Sequence, residues 1–259
     1  MTENRITLFD IPIDNLSIED AINKIIQRLA GEGAVRIYFV NAHGVNVSRI
    51  DSEYLHILQK GDCIFADGVG MRWAARAMGT PLLDNVNGTD LFPRLCPLLQ
   101  ESSFRVFLLG AELGVAQKMA EEICKNYPGL AISGWHHGYF SPQEEEEVIQ
   151  KIRAVKTDLL LAALGVPKQE KWLDEHLHKT GARVGIGVGG LFDFYSNRIP
   201  RAPRWMRKMG LEWLYRLYRE PKRLWRRYVL GNGYFLLLLV AAYLKIPLDK
   251  LDKFKPRLD

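Results

Sequence analysis

Six apolar runs rich in β-branched and aromatic residues recur along the chain: VRIYFVN, CIFADG, RVFLLG, LAISGW, TDLLLAALG and RVGIGVGG. They close on Gly, Asn or a polar residue and read as buried strands. Between them the apolar positions shift to a helical period. Ile18, Ala21, Ile22, Ile25, Ile26 and Leu29 form one stripe, with Ser17 and Asp20 placed as a cap at its head. Val115, Met119, Ile123 and Tyr127 form another, and Glu144 to Glu147 read as a solvated helix face. This alternation predicts an α/β fold, a mainly parallel, Rossmann-like sheet with helices on both faces. Ligands of such sheets bind at the carboxyl ends of the strands, so polar residues that close a strand are the first candidates for chemistry.

The pattern changes after Asn197. Residues 1–197 read as the α/β core and residues 198–259 as a basic helical C-terminal appendage, joined at Arg201 to Pro203; the core is expected to fold without the appendage. Leu211, Leu214 and Leu217 mark one helix, and Pro221 stops it and begins the next. Charge sharpens the division. Between Arg198 and Arg227 stand eleven Lys or Arg and two acids, Glu212 and Glu220, a net +9 in a chain whose total is +5. Trp205, Trp213, Tyr215, Tyr218 and Trp225 are interleaved with the cations, which suits a surface of phosphates beside hydrocarbon. Nucleic acid is the competing reading. The longest apolar run, Tyr234 to Leu244, has eleven residues, too few for a span that needs about 20; it fits an interfacial or core helix. The N-terminus lacks an apolar signal region, and Cys63, Cys96 and Cys124 read as buried, reduced thiols.

Several strand ends carry candidate chemistry. Asn41 either caps the next helix or meets a ligand hydroxyl or base. Asp67, before Gly68 and Gly70, is an Asp-Gly turn or a general base aimed into the crevice. Asn87, Gly88, Thr89 and Asp90 form a tight loop into a helix, with Thr89 or Asp90 as its cap or the loop as a set of backbone donors. Gly110 opens a turn of the kind that binds phosphate, although neither it nor Gly185, Gly187, Gly189 and Gly190 fit the GxGxxG spacing. In LGVPKQEKW, Pro167 sets a helix start and puts Gln169 and Glu170 in its first turn, beside the crevice or simply complementing the helix dipole. His136 and His137, adjacent on a strand, are expected to face opposite sides and to share no metal. No DxD-type pair closes a strand, so no divalent ion is expected.

In order along the chain, FVNAHG, FADGVGM, NVNGTDL, LLGAELG, HHGYF, LGVPKQEKW, GVGGLFDF, RAPRWM and GLEWLYRLYREPKRLWRRY resemble the WecG/TagA/CpsF family of bacterial glycosyltransferases, glycosyltransferase family 26. The resemblance runs from about residue 35 to 228. It implies inverting, metal-independent transfer, without a cofactor, from a UDP-sugar to a polyprenyl-diphosphate-linked saccharide. The place implied is the anionic cytoplasmic face of the bacterial membrane, in cell-surface polysaccharide synthesis. It also implies Asp67 as base, Asn41 near the acceptor, Gln169 from the PKQE motif, and Arg216, Arg223 and Arg226 on the lipid diphosphate. Asn85, Asn87, Thr89, Asp90, Gly110 and Glu170 complete the expected substrate site. Arg216, Arg219, Arg223 and Arg226 fall within an arc of about 80° on an ideal helix, one basic stripe. Two positions depart from the family pattern: Phe39, where some members have Thr, and Asn85, where some have Arg. They leave open whether the donor carries N-acetylmannosamine, its uronic acid, glucuronic acid or glucose. A homo-oligomer is compatible with the pattern. The alternatives are a catalytically silent nucleotide-sugar-binding component of a polysaccharide assembly complex and a nucleic-acid-binding module.

Overall fold

The computed structural model describes residues 4–255. All six expected runs become strands: β3 (Val35–Val40), β4 (Cys63–Ala66), β5 (Val106–Gly110), β6 (Ile132–His136), β7 (Leu159–Ala163) and β8 (Val184–Gly187). They form one parallel sheet in the order β4-β3-β8-β7-β5-β6. Side chains alternate across a strand, and the alternation divides the core in two. Tyr38, Val40, Ile64, Phe107 and Leu160 face one apolar layer; Ile37, Phe39, Phe65, Leu108 and Leu161 face the other. The fold is Rossmann-like α/β, with helices on both faces.

The helix at Ile18–Ala30 starts as its pattern requires. Ser17 Oγ accepts from the Asp20 N–H at 3.1 Å, and Ile18, Ala21, Ile22, Ile25 and Leu29 are buried. The N-terminal hairpin escaped the sequence reading. Strands β1 (Arg5–Leu8) and β2 (Ile11–Asp14) pair antiparallel through a turn in which Phe9 and Asp10 have φ of 52° and 65°. Positive φ at both central positions is usually met by Asn-Gly or Asp-Gly, so Phe-Asp gave no turn signal. The hairpin covers the edge of β4. Asp14 accepts the Ile64 N–H at 2.7 Å and is held by Arg5 at 3.3 Å and Lys24 at 2.8 Å. An edge donor that would otherwise face water is thereby satisfied. Cys63 and Cys96 are buried as expected, but Cys124 is exposed.

The C-terminal segment is helical and packs back on the sheet domain. Helices Arg204–Lys208 and Glu212–Arg219 lead to Pro221–Trp225, a π-helical turn Arg226–Leu230, and Gly231–Tyr243. In the last helix Gly231, Tyr234, Phe235, Leu238 and Ala241 are buried. Tyr234, Phe235 and Leu238 join the same core cluster as Phe9, Val45, Val47 and Met71, and Asn46 Nδ2 donates to Gly231 O at 2.7 Å. The C-terminal helix therefore contributes to the core of the first 197 residues, which were expected to fold without it. Leu238→Ala, at a fully buried position, is expected to lower unfolding stability by about 2–5 kcal/mol in urea titration. A loss within error would show that this helix is only laid against the domain.

Candidate active site

A crevice of about 740 Å³ opens at the carboxyl ends of β3, β4, β7 and β8 and is roofed by the C-terminal segment. Its position follows from the strand order. From β3 the chain runs outward to β4, whereas β8 on the other side of β3 is reached last, and this divergence leaves a gap above the sheet.

Asp67 lies at the inner end of the crevice. Its N–H donates to Val40 O at 2.8 Å, which holds the residue at the tip of β4. Gly68 follows at φ +94°, a left-handed conformation that lets the chain turn into helix Val69–Ala77. Asn41 is the cap, the first of the two roles left open for it. Its Oδ1 caps helix Ala42–Ser48 by accepting from the His43 and Gly44 N–H groups at 3.1 and 3.2 Å, and its side chain also hydrogen-bonds Asp67. With Oδ1 engaged, the amide nitrogen is the donor. Burial pushes the Asp67 carboxyl up to about 6; the Asn41 bond opposes this, Glu212 adds to it, and Arg227 and Arg216 draw it back. Such a group is ionised at neutral pH yet basic enough to accept a proton.

The roof supplies the positive charge. Arg207, Arg216, Arg223 and Arg227 line the crevice. Arg216 lies over the Phe194 ring at 5.1 Å and against Gly190, where a Cβ would come within 2.9 Å of its Nη2. Arg223 is held by Glu220 at 2.7 Å. Arg226 is outside: it is exposed and lies over the Trp225 ring at 5.6 Å. Arg219 is exposed as well. The stripe is placed differently from the expected one: at 100° per residue Arg216, Arg223 and Arg227 fall within about 40° of one another, while Arg219 and Arg226 lie at its exposed edge. Arg227 thereby comes to face Asp67. Burial draws its guanidinium below the ordinary value, without making it neutral.

Other expected residues divide. Asn85 and Asn87 line the crevice. Asn85 Oδ1 accepts the Gly68 N–H at 2.6 Å, bracing the turn after Asp67. Asn87, rather than Thr89 or Asp90, caps helix Gly88–Glu101, accepting from Asp90 N at 2.8 Å and from Thr89 Oγ1 at 2.9 Å. Thr89 stays on the wall. Asp90 is turned to the C-terminal segment, accepting from Arg201 at 2.8 Å. Gly110 is not on the wall. At φ +139°, it passes so close to β7 that a Cβ would lie 2.5 Å from the Ala163 backbone. Its neighbours Ala111 and Glu112 line the crevice instead. Gln169 lines the crevice, while Glu170 is fully buried behind it. The rings of His136 and His137 are not on opposite sides. They lie 4.4 Å apart, because β6 ends at His136 and His137 is already in the following turn.

Sequence reasoning missed His43, Asp193, Glu212 and Arg227, all on the wall. His43 follows Asn41 by two residues. Burial, with a contribution from Arg227, pushes its imidazole down to about 3, so it is neutral and offers hydrogen bonds without charge.

A family model, described as the glycosyl transferase WecG/TagA/CpsF family, matches residues 6–247. The chain belongs to this family. Among relatives, it is 32% identical over 235 residues, 90% of either chain, to the N-acetylglucosaminyldiphosphoundecaprenol N-acetyl-beta-D-mannosaminyltransferase of Bacillus subtilis (strain 168). The Bacillus spizizenii protein of the same name is 36% identical over 174 residues, 67% of this chain and 66% of its own. The Staphylococcus aureus (strain MW2) one is 28% identical over 224 residues, 86% of this chain and 87% of its own. The chain is a glycosyltransferase. In this chain the crevice, framed by strand ends and arginines, brings a carboxylate and cations together.

Proposed function

We propose that the protein transfers a hexosyl group from a UDP-sugar to a saccharide carried on a polyprenyl diphosphate, with inversion and without a metal ion. The observation that carries this reading is the Asp67 carboxyl, raised to about 6, beneath Arg216 and Arg227. In the proposed step an acceptor hydroxyl attacks the anomeric carbon. Its proton goes to Asp67 as the new glycosidic bond forms and the bond to the UDP oxygen breaks. One in-line displacement inverts the centre. The base contributes roughly 10²–10⁴-fold. Charge developing on the departing diphosphate is met by guanidinium groups, whose planar forks suit phosphate oxygens. Asn41 holds the base, and neutral His43 offers a hydrogen bond without repelling the proton. Relatives named for an N-acetylglucosaminyldiphosphoundecaprenol acceptor favour a lipid diphosphate over a nucleic acid as the partner.

The same reading puts the protein on the anionic inner leaflet. Leu236, Leu237, Val240 and Leu244 on the outer face of the last helix are exposed, with Trp205, Tyr218 and Trp225 nearby in sequence among the cations. No helix among the described residues is long and apolar enough to cross a membrane. Apolar and basic groups together favour binding in the interface plane, at roughly 1 kcal/mol per cation near anionic lipid.

Release of UDP from a panel of UDP-sugars, followed on addition of a polyprenyl-diphosphate saccharide, tests the proposal. UDP binding without acceptor-dependent release would instead favour a silent nucleotide-sugar-binding protein. Among the described residues no group of three or more His, Cys, Asp or Glu is placed to hold a metal ion. Transfer is accordingly expected to survive excess EDTA; loss that magnesium or manganese restores would overturn the metal-free mechanism.

A further inference from the structure

We propose that Glu170 is a positioning residue. Buried behind the crevice wall, it fixes the orientation of the Gln169 amide and, through it, the Gly187–Gly190 turn on which Arg216 rests. Gln169 Nε2 donates to Glu170 Oε1 at 2.8 Å, and Gln169 Oε1 accepts the Gly189 N–H at 3.0 Å. Only one amide orientation satisfies both neighbours. A flipped amide would set its NH₂ against the Gly189 N–H and its oxygen against the carboxylate. An apolar residue at 170 would leave nothing to select between the two orientations except Gly189 itself.

The turn is built to receive this amide. A Cβ at Gly187 would lie 2.9 Å from Gln169 Nε2, and a Cβ at Gly190 would lie 2.9 Å from Arg216 Nη2. Gly189 between them has φ +54°. The turn is thus held by Gln169 on its inner side and supports Arg216 on its outer side. A carboxylate is an expensive group to bury for packing alone. Glu170 is fully buried, its Oε2 has no hydrogen-bond partner, and burial raises its carboxyl to about 7. Its carboxylate is hydrogen-bonded by Gln169, a residue on the crevice wall. The helix that carries both residues, Lys168–Thr180, starts at the carboxyl end of β7, so the pair reaches the crevice from behind without entering it.

This inference deepens the transferase reading, and its test has an arm that does not depend on it. Amide exchange of Gly189 is measured by NMR in the full chain. Glu170→Met and Gln169→Ala are each expected to speed it at least about tenfold, while amides of β7 and β8 keep native protection. Unchanged exchange at Gly189, or acceleration spread evenly over the sheet, would overturn the proposal. Glu170→Gln keeps the volume and offers an acceptor in one of its two amide orientations. It is expected to give an intermediate rate, and serves if the Met variant does not fold; a native rate there counts against the proposal equally. In transfer kinetics Glu170→Met and Gln169→Ala should each lower kcat/KM roughly ten- to hundredfold. The double variant should be no worse than Gln169→Ala alone, since residues acting through one another are non-additive. Losses that multiply would show that Glu170 acts independently of Gln169. If no transfer is found with any substrate, the functional reading fails and the exchange experiment still decides the role of Glu170.

Discussion

Asp67→Asn is expected to lower kcat/KM for transfer by roughly 10²–10⁴-fold while UDP affinity stays within a few-fold, because the amide keeps the shape and loses the basicity. The pH profile of the native protein should carry the same signature. Asp67 is pushed up to about 6 by burial, so kcat/KM should rise about tenfold per pH unit below that value and level off above it. Stability should run the other way. Asp67 ionises at about 6 in the folded chain and near about 4 when unfolded. Between these values the folded state binds more protons, so stability falls as pH rises through the window. Asp67→Asn removes that decline. The variant should therefore melt above the native protein at pH 8, with the difference vanishing below about pH 4. Near-native turnover in the variant would remove Asp67 from the mechanism.

Arg227→Gln should cost roughly 10²–10³-fold in kcat, whereas Arg226→Gln should change transfer by no more than about twofold, as surface substitutions usually do. The two residues are adjacent in sequence, and the contrast isolates direction from charge. Arg227 faces the crevice and pulls the Asp67 carboxyl downward; Arg226 is exposed beside Trp225. A second readout distinguishes this from general damage. Without the Arg227 charge the lower limb of the pH profile should move above about 6. Equal losses from both substitutions, with no shift of the profile, would mean that the basic block acts only as a diffuse field.

Most of the sheet was legible because its strands are buried on both faces and read as unbroken apolar runs closed by Gly or Asn. The strand-end logic then brought Asn41 and Asp67 together, although they are 26 positions apart. What stayed hidden depended on backbone geometry that side-chain periodicity does not encode. The Phe9-Asp10 turn uses residues with no turn signature. Glu170 read as a first-turn residue beside the crevice or as a complement to the helix dipole, and only packing shows that it is sealed behind Gln169. The stripe was drawn through Arg226 although, counted from Arg216 at 100° per residue, Arg227 lies at about 20° and Arg226 at about −80°. Counting backward from the apolar helix would have found Arg227 as well. Leu238, Tyr234, Gly231 and Leu224 fall at helical intervals on one buried face, and Arg227 belongs to that series while Arg226 does not.

Phe9, in the hairpin turn, meets Phe235 of the last helix edge-on, with ring centroids 5.7 Å apart. The ribosome makes these two rings 226 residues apart. Until residue 235 has left the exit tunnel, the apolar faces of the hairpin, of Val45 and Val47 and of Met71 lack the part of their cluster that Tyr234, Phe235 and Leu238 supply. Contacts so distant along the chain form late and slowly, and uncovered apolar surface invites association in the meantime. A sheet domain made without the C-terminal helix is expected to expose that surface and to associate. The roof residues Arg207 to Arg227 lie between the sheet and that helix in the chain, so docking of the helix is expected to fix Arg227 over Asp67.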